Sequence, residues 1–90
     1  MEDVIGAGAV LDALEAHVPV EPATDAARIA VGMFRASREK LPEVLAEGAG
    51  GKHVRAAGLG ADIDFSARLN VFDVVGVVKD DPLRVVRGVE

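Results

Sequence analysis

Gly58–Val78, GLGADIDFSARLNVFDVVGVV, is the stretch around which this chain reads most clearly. Leu59, Ile63 and Ala67 fall on one helical face, with Phe65 and Leu69 beside it and Asp62, Asp64 and Arg68 at polar positions. The 3.6-residue period predicts a helix of about three turns. Asn70 suits its stop, because asparagine tolerates the left-handed backbone. Val74, Val75, Val77 and Val78 around Gly76 then predict a strand apolar on both faces, of the kind buried on both sides. A helix feeding a central strand is the expected nucleus of the fold.

The neighbouring segments extend that pattern. Lys79-Asp80-Asp81-Pro82 is turn chemistry, and Leu83–Val86 reads as a second strand. So short a connection favours an antiparallel hairpin, with Arg84 and Arg87 guarding an edge. Upstream, Glu2–His17 has helical spacing, and Asp3 is placed to cap it. Its small run Gly6-Ala7-Gly8-Ala9 fits either close approach by another backbone or a ligand, or a frayed first turn. Pro19 and Pro22 bracket a connector. Thr24 or Asp25 caps the clearest helix, with Ala26, Ile29, Ala30, Met33, Phe34 and Ser37 on one face. Arg28, Arg35, Arg38 and Glu39 lie on the other, read as a solvated face. Pro42 starts a short helix through Glu47, ended by Gly48–Gly51. Lys52–Ala57 forms another, stopped by Gly58.

Composition bounds what such a chain can be. Ninety residues make at most one domain, assigned to residues 1–90. A chain of that size buries only about 60–65% of its extended surface. Yet 50% of the residues are hydrophobic, and there are ten glycines besides. That exceeds the roughly 45–50% usual for such a count. So much apolar material calls for cover by a missing half or by another copy, unless alanine alone inflates it. A net charge of −5, with three Phe and no Trp or Tyr, argues against nucleic-acid binding. No cysteine means no disulfide, thiolate metal site or Cys nucleophile. The acidic start lacks a signal peptide's positive region, and no apolar run is long enough to span a membrane. A cytoplasmic protein is the expectation.

Chemistry has few places to sit. In Gly48-Ala49-Gly50-Gly51-Lys52-His53-Val54-Arg55, glycines lead into a helix beside two cations, which suits an oxyanion cradle. It is not a Walker loop, since Ala46 and His53 stand where glycine and Ser/Thr are required. Read alone, the stretch is first a linker and second a phosphate site. Glu2 and Asp3 are adjacent hard oxygen donors of the kind magnesium accepts, and also an ordinary acidic helix start. Asp62 and Asp64 share that ambiguity. His17 and His53 lack the spacing of a zinc site.

The Gly58–Asn70 motif followed by Phe72-Asp73-Val74-Val75 resembles the C-terminal region of the 2-phosphosulfolactate phosphatases. Glu2-Asp3 with Ala7-Gly8-Ala9, Asp25-Ala26-Ala27, Phe34-Arg35 and Gly51-Lys52 extend the resemblance over nearly the whole chain. It implies a three-layer α/β/α fold with a mixed sheet, of which this chain supplies a helix-rich part and a C-terminal β-hairpin. It also implies a magnesium-dependent hydrolase that releases sulfolactate and phosphate, on a route to coenzyme M. By motif position, Glu2 and Asp3 would lie near Mg2+. Gly51 and Lys52 would contact the small phosphoester substrate, with Lys52 and Asp62 as catalytic residues.

Two substitutions depart from the family pattern: Ser66 where cysteine is frequent, and Gly76 where proline is. The larger departure is length. Family enzymes are more than twice as long, with an Asp…Arg-Ala-Thr stretch and a Gly-Glu-Arg-Gly-Gly loop absent here. The expectation is therefore a C-terminal fragment completed by an N-terminal half or by self-association. The alternative is a non-enzymatic, dimerising or anion-binding remnant.

Overall fold

A computed structural model describes residues 1–88. Five helices lead into one hairpin: α1 (Glu2–Glu15), α2 (Asp25–Ser37), a 3-10 turn (Arg38–Lys40), α3 (Leu41–Glu47), α4 (Ala49–Ala56), α5 (Gly60–Ser66), β1 (Gly76–Lys79) and β2 (Arg84–Arg87). The chain is thus helix-rich with a C-terminal antiparallel hairpin. Among the described residues the sheet has two strands.

Helices α1 and α2 form the main packing unit. Gly8 is where they meet. A Cβ there would overlap the Ala30 carbonyl and stand 2.9 Å from Phe34 Cβ, whereas one on Gly6 would meet nothing within 4 Å. The small run therefore serves close backbone approach, and only Gly8 is needed for it. Ile5, Phe34 and Leu41 are the buried centre, with Ala9, Val44, Leu45 and Ala67 packed against them. Thr24 caps α2, its Oγ1 accepting from the Ala27 amide at 3.1 Å. Asp3 makes no such cap on α1.

Two expectations for α2 change. Its buried residues are Ala30, Val31, Phe34 and Ser37, while Ile29 is 62% exposed. The inward face is rotated because α1 approaches over Ala30, not over Ile29. Nor are the arginines merely solvated. Arg35 reaches Asp12 at 2.7 Å and Glu15 at 2.6 Å, and Arg38 reaches Asp12 at 3.5 Å. These hydrogen bonds to Asp12 and Glu15 raise the Arg35 pKa further. Arg38 also lies over the Phe34 ring, 5.7 Å from its centroid.

Gly58, at φ 81°, stops α4 as expected. Asn70, left-handed at φ 59°, is not the stop of α5, which ends at Ser66 with Ala67 as its C-cap. Helix α5 is only seven residues, shorter than three turns, with Ile63 its buried residue. Helix α4 begins earlier than expected, because Ala49, Gly50 and Gly51 belong to its first turn.

The hairpin pairs Gly76 with Arg87, Val77 with Val86, Val78 with Val85 and Lys79 with Arg84. Arg84 closes its turn by donating to the carbonyls of Asp80 and Pro82. The doubly buried strand is corrected: Val74, Val75, Val78 and Val85 are all exposed. The helices pack among themselves, and the strands pack chiefly on each other.

These contacts predict opposite outcomes for two neighbouring glycines. Gly8→Ala, forced against the Ala30 backbone, should lower unfolding free energy in urea by about 1–3 kcal/mol. Gly6→Ala, in open space within the same helix, should raise it by about 0.5–1 kcal/mol.

Candidate functional site

Four helices line one cleft of about 150 Å³. Glu2 enters it from the start of α1, Gly51 and Val54 from α4, and Asp62, Ile63 and Ser66 from α5, with Leu45 of α3 at its wall. Of the five residues singled out in the sequence, the cleft gathers Glu2, Gly51 and Asp62. Asp3, on the next position of α1, is exposed and outside the lining. Lys52 follows Gly51 in α4 but is exposed and also outside it. Ser66 was not singled out as a donor. Its position four residues after Asp62 on one helix was the available signal.

Gly51 is held by packing. A Cβ would overlap the Leu45 carbonyl oxygen and press on the Ala46 backbone, at 2.8 and 2.9 Å. Glycine here lets α4 start directly against α3. The break between the two helices is Gly48, whose extended backbone ends α3. The Lys52 amide makes the first bond of α4, to the Gly48 carbonyl at 3.0 Å. The amides of Ala49, Gly50 and Gly51 therefore precede that bond, and no side chain caps this start.

Glu2 lies over this helix start. Both its carboxylate oxygens stand 3.2 Å from where a Cβ on Gly50 would be. Its own backbone amide, and then the N-terminal ammonium, hold the carboxyl below its ordinary pKa. It is therefore an anion at neutral pH, at a helix end that favours negative charge.

The cleft's oxygen donors are Glu2, Asp62 and Ser66. No group of three or more His, Cys, Asp or Glu suited to a metal occurs among the described residues. An all-protein cage is thus absent from them. One or two carboxylates, completed by water and phosphate oxygens, are the donor set magnesium commonly uses. Glu2 and Asp62 fit that pattern. No helix among the described residues is long and apolar enough to cross a membrane.

No curated protein and no solved structure matches the chain. The family model described as 2-phosphosulpholactate phosphatase matches residues 1–81, a span that contains all four helices of the cleft and every residue singled out above. The chain therefore belongs to the 2-phosphosulpholactate phosphatase family.

Proposed function

We propose that this chain contributes a magnesium-dependent phosphatase site hydrolysing 2-phosphosulfolactate to sulfolactate and phosphate. The observation that carries the reading is the meeting of Glu2, Gly51 and Asp62, from three separate helices, in one cleft of a chain from this family.

The chemistry follows from charge. A phosphomonoester brought to the uncapped start of α4 would meet donor amides, and it would also meet the Glu2 carboxylate over Gly50. Two anions there repel unless a cation stands between them. Glu2 and Asp62 would hold Mg2+, which when bound neutralises phosphoryl oxygens and orients the ester. Gly51 fixes the helix start by which the amides of Ala49 and Gly50 are offered. Lys52, outside the lining but next to Gly51, adds positive charge at the rim, toward phosphate or sulfonate. Ile63, Val54 and Leu45 form the apolar wall that limits water around these groups.

In this reading the chain carries the groups that bind metal and phosphate, and self-association or an N-terminal half completes the site. A cytoplasmic route to coenzyme M is the setting.

Phosphate release from 2-phosphosulfolactate by the purified chain should require Mg2+ and stop on chelation. Glu2→Gln and Asp62→Asn should each lower kcat/KM about 100-fold or more, the scale of losing several kcal/mol of charge stabilisation. Release that persists in both variants would remove them from the site. Lys52→Ala should chiefly raise KM.

Gly50→Ala tests the position of Glu2 separately. The added methyl meets both carboxylate oxygens, so activity should fall while helical circular dichroism is unchanged. Full activity in this variant would mean that Glu2 does not act from over α4.

A further inference from the structure

We infer that β1 is a homodimer edge, pairing antiparallel with β1 of a second copy to make a four-stranded sheet.

The chain exposes 7012 Å², whereas a folded monomer of 9.3 kDa exposes about 5000 Å². Its radius of gyration is 15.1 Å, against about 12 Å for a compact chain of this length. The excess, on the order of 2000 Å², exceeds the roughly 800 Å² per partner that a stable interface takes. Much of it is apolar and lies on the hairpin and its approach: Phe72, Val75, Val78, Leu83 and Val85 are each more than 60% exposed.

A two-stranded hairpin is marginal in water, and three or more strands are needed for independent stability. Pairing two copies supplies four. The hydrogen bonds show which groups are available. The Gly88 amide bonds the Val75 carbonyl at 2.6 Å, so Val75 and Gly88 form a hydrogen-bonded pair. By the antiparallel alternation, Val77–Val86 and Lys79–Arg84 do so too. Gly76 and Val78 therefore direct their backbone groups away from β2, to the outer edge of β1.

Strand β2 has an arginine at each end, their guanidiniums bonded to the carbonyls of Pro82 and Asp73. Such charged edges resist pairing. Strand β1 has one charge, Lys79, at the turn. Its outward groups pair with themselves when Gly76 of one copy faces Val78 of the other. Val77 then meets Val77 of the second copy in the close, non-hydrogen-bonded position. The interface is isologous and closes as a two-fold dimer.

The chain has no cysteine, so Val77→Cys gives a single thiol on the proposed axis. The roughly 4.5 Å Cα separation of such a pair falls within disulfide range. Air oxidation should convert this variant to a covalent dimer, while Val10→Cys, at an exposed position of α1, forms no cross-link. Sedimentation equilibrium should give twice 9.3 kDa for the unmodified chain. Val78→Pro removes an outward amide without touching the hairpin ladder and should raise the dimer Kd about tenfold or more. Val85→Pro, on the outer edge of β2, should leave Kd unchanged. A monomer at all concentrations would overturn the proposal. So would equal loss in both proline variants, or a chain that associates only with a different polypeptide.

Discussion

The rest of the structure depends on the approach of α1 to α2 at Gly8. A side chain there would collide with the Ala30 backbone. With glycine, Ile5 reaches Phe34 and Leu41, and these three form the buried centre. The same approach brings Asp12 and Glu15 within reach of Arg35. Exposed ion pairs contribute little stability. They lie along the faces where the two helices meet. Glu2 is the first residue of α1, so its position over α4 is set by the packing of the turns behind it.

A second glycine does the corresponding work at the other wall of the cleft. Gly51 lets α4 begin against the α3 backbone, so the uncapped amides of α4 and the carboxylate of Glu2 share one small space. An anion at a helix start is stabilising by itself. Asp62 adds a second carboxylate from α5 to the same cleft. The proposed function rests on that pair, since one or two carboxylates with water and phosphate oxygens are what magnesium accepts.

Local signals carried much of this in the sequence. Thr24 as cap, Pro42 at a helix start, Gly58 as a stop, and the Asp80-Asp81-Pro82 turn are each decided by one or two residues and their neighbours. The convergence of Glu2, Gly51 and Asp62 came from family motifs, since these residues are distant along the chain. Long-range geometry was less legible. Asp12 and Glu15 on α1, and Arg35 and Arg38 on α2, have matching three-residue spacings, but nothing local says that the two helices meet on those faces. The valine run has the composition of a buried strand, yet burial needs a neighbour that the helices do not supply. Gly51 looked like part of a linker because glycine disfavours helices, whereas contact with Leu45 and Ala46 overrides that preference.

The central claim is that Glu2 and Asp62 share a divalent cation in the cleft between α1, α4 and α5. Paramagnetic broadening of amide resonances by Mn2+, competed by Mg2+, tests it most directly, because it needs neither substrate nor a complete active site. The account predicts broadening centred on Glu2, Gly50, Gly51 and Asp62, relieved by Mg2+ and lost in Asp62→Asn. Broadening centred on the acidic turn at Asp80 and Asp81, with the cleft unaffected, would contradict it.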